Sequence, residues 1–244
     1  MNRLLVPALA GLIALGAAPA GATVYDAATS FSASVNPNGA FTFGWEPAGG
    51  GALTVYTTAF SIGSYQAWGD PSVPGFSTYS VPSVFYNPAS TSADVGSITL
   101  ASHQLAFHPG EAGELSVIRF TAPQSGLYSA TGYASGADHV GPTDTEIFAA
   151  STGTGLIPLG IVAGYGASSE ITFSGTGFLT AGEIVDVLVG FDPTNASRRS
   201  TGPFFYDSTA VDITFATVPE PATLVLLGTG LIGMGLLRRS GQSG

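Results

Sequence analysis

The chain of 244 residues contains no cysteine and no lysine. Without cysteine there are no thiol nucleophiles, thiolate metal sites or disulfides, so stability has to come from burial. Positive charge is scarce as well: six arginines stand against 16 acids, a formal net charge of −10. Between residues 23 and 217 fifteen acids face only Arg119, Arg198 and Arg199, a net charge of −12. Nucleic acid is recognised by a basic surface that displaces counterions, so nucleic acid is excluded as a partner, as is an anionic polymer held by simple attraction. The acid excess favours solubility and divalent cations at the surface. No segment of 23–217 sustains a 3.6-residue apolar period long enough for a substantial helix.

Glycine (34 residues) and proline (16) are plentiful, yet 11% of the chain is aromatic and only 9% is charged. Disordered chains show the opposite balance, so this composition reads as short strands separated by glycine-rich turns. Period-two alternation supports that reading. Phe41, Phe43 and Trp45 share one face, as do Ile171 and Phe173; Val185, Val187, Val189 and Phe191; and Val211, Ile213 and Phe215. Further candidate strands are 53–57, 98–100, 105–107, 116–121, 127–132, 146–150 and 156–162. Turns are marked by Asn36-Pro37-Asn38-Gly39, Pro109-Gly110, Pro123-Gln124-Ser125-Gly126, Ala181-Gly182 and Asp192-Pro193. The spacing predicts an all-β fold, an antiparallel β-sandwich of jelly-roll type. Residues 44–92 alternate poorly, but a core strand precedes them and no linker follows, so 23–217 is expected to form one domain with no internal repeat.

Both ends carry targeting patterns. Residues 1–22 combine Arg3, an apolar stretch over 4–15, the breaker Pro19 and the small residues Ala20-Gly21-Ala22. This predicts a signal peptide cleaved after Ala22. At the other end Val218-Pro219-Glu220-Pro221 precedes an uncharged apolar run over 222–237, which Arg238-Arg239 closes. As a helix the run reaches ~24 Å, and snorkelling arginines extend it toward a bilayer core of ~30 Å. A single transmembrane helix is expected there, with Arg238 and Arg239 in the cytoplasm by the positive-inside rule. The ordered arrangement of tripeptide, helix and basic pair over 218–240 resembles the PEP-CTERM sorting signal of bacterial envelope proteins. The resemblance implies processing near Pro219-Glu220-Pro221 by an exosortase, a precursor held in the cytoplasmic membrane, and a species that makes exopolysaccharide.

A second set of phrases spreads over residues 30–216: Asn36-Pro37-Asn38-Gly39, His108-Pro109-Gly110, Val117-Ile118-Arg119-Phe120-Thr121-Ala122-Pro123, Ala181-Gly182-Glu183 and Tyr206-Asp207-Ser208-Thr209. Together they resemble an uncharacterised β-sandwich domain of secreted and PEP-CTERM proteins, similar in general shape to carbohydrate-binding jelly rolls.

Few residues suggest catalysis. His103, His108 and His139 lack the spacing of a helical His-Glu-x-x-His zinc site and read as hydrogen-bonded turn or surface histidines. Glu111/Glu114 and Asp144/Glu146 are carboxylate pairs close in sequence, but fifteen acids produce such pairs by chance, and a glycosidase needs two that face each other at about 5–9.5 Å. No Gly-x-Ser-x-Gly elbow occurs. No catalytic residue, metal ligand or cofactor is therefore assigned. Structural calcium remains a candidate through Asp138, Asp144, Asp192, Asp207 and Asp212, without the Asp-x-Asp-x-Asp loop that would define a ligand set.

Sugar rings stack on flat aromatic faces, and Trp45, Tyr56, Tyr65, Trp68, Tyr79, Phe85 and Tyr86 cluster in the first third of 23–217. Trp45 alternates like a core residue. Trp68, beside Gly69-Asp70-Pro71, and Tyr65 are the carbohydrate-contact candidates, with core filling as the equal alternative. The expectation is an exported, non-enzymatic structural or adhesive protein of the envelope or extracellular matrix, associated with exopolysaccharide. A carbohydrate-binding module, with or without help from calcium, is the alternative, and a secreted glycoside hydrolase ranks third.

Overall fold

Alternating side chains give each strand one face for a core and one for solvent or a second layer. A computed structural model describes residues 21–141, 143–191 and 204–219. Outside the described residues lie residues 1–20 of the expected signal peptide, Ala20 among them, Asp192, Glu220, Pro221, the expected span 222–237, Arg238 and Arg239. Among the described residues no helix is long and apolar enough to cross a membrane.

Thr23–Val218 forms one compact unit. Its first strands are β1 (Val24–Asp26), β2 (Phe41–Glu46), β3 (Thr54–Val55), β4 (Thr58–Ile62) and β5 (Tyr65–Gly69). A single helical turn, α1 (Phe76–Tyr79), leads to β6 (Ser83–Tyr86), β7 (Ala93–Val95), β8 (Ile98–Leu100) and β9 (Leu105–His108). Longer strands follow: β10 (Leu115–Thr121), β11 (Gly126–Gly136), β12 (Thr143–Ser151), β13 (Ile157–Gly164) and β14 (Gly166–Leu179). The last two are β15 (Ile184–Gly190) and β16 (Thr209–Thr217).

Two antiparallel sheets face each other. One runs β14-β11-β16-β9-β6-β5-β4 with β1 also paired to β16, and the other runs β13-β12-β15-β10-β2-β3. Within them β1-β16-β11-β14 opposes β10-β15-β12-β13, and the chain keeps crossing between the layers. That is a jelly roll, as the sequence predicted. Between β1 and β10 it is interrupted: β2 and β3 extend one sheet beyond β10, and β9, β6, β5 and β4 extend the other beyond β16. Residues 44–92 supply most of this insertion and are part of the same sandwich. Along β16, Thr209 and Ala210 pair with β9, while Thr214 to Ala216 pair with β1, so Asp212 sits where the partner changes.

Between the sheets Phe120 and Phe215 stack with centroids 4.0 Å apart, flanked by Phe41, Tyr25 and Tyr128. A second, smaller cluster lies on the other side of the larger sheet, where the hairpin β7-β8 covers Tyr65, Ala67, Phe85 and Ala106. Side chains pin the loops of the insertion. Asn36 Nδ2 donates to the carbonyls of Phe43 (2.8 Å) and Tyr56 (2.9 Å). Asn87 Nδ2 donates to Thr91, Leu100 and Ala101 carbonyls at 2.9–3.2 Å. Gly69 leaves room for the ring of Phe76, which a Cβ would strike, and Phe76 packs edge-on to Phe60. This contact seats α1 and with it Tyr79.

At the chain ends of the unit, Thr23 N donates to Thr217 Oγ1 (2.8 Å) and Thr217 N donates to the Thr23 carbonyl (2.9 Å). The two ends of the sandwich therefore leave it side by side.

Candidate functional site

The two aromatic candidates are corrected by their surroundings. β5 lies inside its sheet between β4 and β6, with both faces covered. Trp68 joins the inter-sheet core and its Nε1 donates to the Ser32 carbonyl at 2.6 Å. Tyr65 is fully buried in the outer cluster, donates to the Ala93 carbonyl (2.6 Å) and accepts from Leu100 N (3.2 Å). The two rings point to opposite sides of the sheet, so they cannot form one groove or stack on a sugar.

The acids are dispersed. Among the described residues no group of three His, Asp or Glu side chains is placed to hold a metal ion. Asp207 Oδ1 accepts from Asp144 N at 3.0 Å. Glu114 Oε2 accepts from Ala112 N. Asp144 and Glu146 share the outer face of β12. Asp212 is pushed up to about 6 by burial first and then by Asp26. His103 bonds through Nδ1 with Tyr86 OH (3.0 Å) and His139 through Nδ1 with Thr99 Oγ1 (3.1 Å).

Two cavities open where the insertion meets the jelly roll. The first, about 370 Å³, lies against Glu46 of β2, Arg119 of β10 and Asp186 of β15. Arg119 grips Asp186 with two bonds, Nε to Oδ1 (2.8 Å) and Nη2 to Oδ2 (2.7 Å), and reaches Glu46 Oε1 at 3.5 Å. Burial raises the Glu46 pKa, and its other oxygen accepts from Gly51 N at 3.1 Å. These groups satisfy one another, so the triad cross-links the β2-β10-β15 face.

The second cavity, about 270 Å³, is different. Register sets Ser83 of β6 opposite His108 of β9, with both side chains on the outer face of the larger sheet. Below them the carbonyls of both residues are held by Ser116 Oγ, at 2.7 Å from His108 O and 3.3 Å from Ser83 O, and Tyr56 OH lies 2.8 Å from that hydroxyl. Asp138, after β11, is 1% exposed and accepts from Ser97 Oγ and from Ser208 N (2.9 Å). The His108 ring sits with Nδ1 2.8 Å from the Pro109 carbonyl, and burial lowers its pKa. A neutral ring in that setting donates through Nδ1 and presents Nε2 as an acceptor. Ser83 is 1% exposed, and its Oγ has no hydrogen-bond partner. One wall is aromatic: Phe204 packs on Phe205 (4.6 Å), and Tyr79 meets both edge-on. Tyr79 is 44% and Phe205 39% exposed, so both keep ring surface free.

Serine, histidine and aspartate thus share one cavity without the geometry of a catalytic triad. The Nδ1 that an aspartate would orient is bonded to Pro109, and Ser83 Oγ is bonded to no base. The arrangement can bind, and it lacks an activated nucleophile.

Residues 217–239 match the PEP-CTERM protein-sorting motif. The motif implies an exported protein that is processed by an exosortase. Of its tripeptide, Pro219 is described and exposed. No curated protein matches the sequence. Among solved structures, a family 35 carbohydrate binding module from Clostridium thermocellum is similar at 9% identity, with 65% of this chain and 95% of that chain covered at a TM-score of 0.30. The GH26-CBM35 β-(1,4)-mannanase of Podospora anserina shows 14% identity over 53% of this chain and 24% of that chain, also at 0.30. The chain spans about a quarter of that enzyme's length. A C-terminal CBM6 of a laminarinase from Zobellia galactanivorans shows 16% identity over 47% and 88%, at 0.23. The jelly roll rests on its own strand order and not on these likenesses.

Ser83 and Phe205 were not singled out by sequence; Asp138 entered only as a calcium candidate and Tyr79 only among the clustered aromatics. The available signal was indirect: His108-Pro109-Gly110 and Tyr206-Asp207-Ser208-Thr209 are two of the five recurrent phrases, and the fold brings both to this one cavity.

Proposed function

We propose that the protein is an exported, non-enzymatic component of the cell envelope or extracellular matrix, structural or adhesive, that associates with exopolysaccharide. The observation that carries this reading is the sorting motif over 217–239. In the proposed route the signal peptide is removed after Ala22 and the apolar run 222–237 holds the precursor in the cytoplasmic membrane. Pro219 and Pro221 keep the preceding chain extended, lacking two backbone donors, and Glu220 adds a charge that a processing site can read. Arg238 and Arg239 stop the run from slipping through. A binding role is preferred to acyl transfer by a serine nucleophile, because among the described residues the cavity that collects serine, histidine and aspartate leaves them without the bonds of a nucleophile and base.

Replacing Pro219-Glu220-Pro221 by three alanines in a host with the matching exosortase tests the route. The variant should insert in the membrane but accumulate as the uncut precursor, while wild-type protein recovered outside the membrane begins Thr23-Val24-Tyr25. Release of the variant at the wild-type rate would reduce the tripeptide to a linker.

A further inference from the structure

We propose that the cavity between β6, β9 and the segment 204–208 is a binding site for a single neutral pyranose ring, such as one end or one unit of a glycan. This deepens the association with polysaccharide proposed above and rests on it. The assignment follows from what the cavity offers. At about 270 Å³ it falls just below the roughly 300–1,000 Å³ typical of sites for drug-sized ligands, room for one ring and not for a chain.

Besides hydroxyls, which donate and accept, the cavity is lined by two acceptor groups. Asp138 presents a carboxylate, and the hydrogen bond of His108 runs through Nδ1, which leaves Nε2 as its acceptor. A ligand that suits them is a donor of several hydroxyl protons. Ser83 Oγ, which both donates and accepts, is the group that most needs such a ligand: it is buried, faces the cavity and has no partner. Buried hydroxyls are otherwise almost always satisfied. The neighbouring cavity makes the contrast, since Arg119, Asp186 and Glu46 already complete one another there.

The apolar requirement is met by the same geometry. Tyr79 and Phe205 are mutually packed and partly exposed, so they offer rigid ring surface to the C–H face of a sugar at little cost in side-chain entropy. Charge narrows the class further. Asp138 and the net −12 of residues 23–217 repel uronic acids and sulfated sugars, so the ring is neutral.

The test uses the full-length protein in detergent and a panel of glucose, mannose, galactose, xylose and glucosamine with their short oligomers, followed by titration calorimetry. At least one neutral sugar should bind. Ser83→Ala, which removes a hydroxyl that nothing in the protein uses, should weaken it at least tenfold with an unchanged melting temperature. Phe205→Ala should weaken it as much, and Ser151→Ala at the other cavity should have no effect. The proposal is overturned if no neutral sugar binds, if only glucosamine binds, or if both cavity substitutions leave binding intact. Sedimentation with insoluble polysaccharide separates the two readings. Retention that ignores Ser83 and Phe205 keeps the association and removes this site. Loss of retention in every form removes the association itself.

Discussion

In the jelly-roll frame, β1 and β10–β16, the longest strands β11 and β14 run to 11 and 14 residues and share one long ladder. In the insertion, β2–β9, no strand exceeds six residues and β3 has two. The frame is held by main chain against main chain and by the stacked rings of Phe120 and Phe215. The insertion is held by side chains reaching main chain: Asn36 to Phe43 and Tyr56, Asn87 to three carbonyls, Tyr65 to Ala93. Short strands lack enough ladder bonds to fix their own loops, so buried amides and hydroxyls take over. Both cavities lie where these two kinds of construction meet.

The largest test of this difference is Phe120→Ala. It removes a fully buried ring from the centre of the frame and should cost about 3–5 kcal/mol. Urea unfolding of the full chain should show a lower midpoint with an unchanged slope. A loss near 1 kcal/mol would mean that the frame does not carry the fold.

The junction comes next. Asp212 has its pKa raised to about 6 from an ordinary 3.8. Between those values the folded state keeps a proton that the unfolded state has released, so stability falls as pH rises through this window and stays lower above it. With solvent screening of a partly exposed carboxyl the penalty is about 1–2 kcal/mol. Asp212→Asn should flatten the profile between pH 4 and 6 and stabilise the protein at pH 7–8, read from melting temperatures across the range. An unchanged slope would show that burial beside Asp26 does not hold a proton on that carboxyl in the folded state.

The smallest effect is expected in the insertion. Tyr65→Phe removes the bonds to Ala93 and from Leu100 and should cost about 1 kcal/mol. Hydrogen exchange should quicken in β7 and β8 and leave β11 and β16 untouched. Loss of protection spread evenly over both regions would erase the distinction between them.

The same difference explains what the sequence made legible. The frame strands β14 and β16 alternate because one face meets the core and the other is more open, and Ile171/Phe173 and Val211–Phe215 could be read directly; in β15, where Asp186 and Leu188 are buried too, the alternation of Val185, Val187 and Val189 survives because Asp186 is polar. In β5 both faces are covered, so Tyr65 and Ala67 are buried on one side and Trp68 on the other, and no alternation survives. Gly69-Asp70-Pro71 suggested an exposed loop beside Trp68, whereas the ring is tied to Ser32, a partner 36 positions away. The site was hidden for a related reason. Ser83 and His108 become neighbours only through the pairing of β6 with β9, and Asp138 and Ser208 join them from the frame. Local sequence shows a strand-ending histidine there and nothing of what it faces.

β16 begins at Thr209, one residue after the cavity-lining Ser208, and ends at Thr217, two residues before Pro219. One strand of nine residues, about 30 Å long, therefore joins the proposed glycan site to the tail that carries the sorting signal. In the uncut precursor, tension between a held sugar and a tail held by the membrane would run along that strand, at right angles to its hydrogen bonds with β11 on one flank and with β9 and β1 on the other. Bonds loaded in this way share the force at once instead of peeling from one end. A pull along β16 would therefore be resisted by the whole of its ladder with β11.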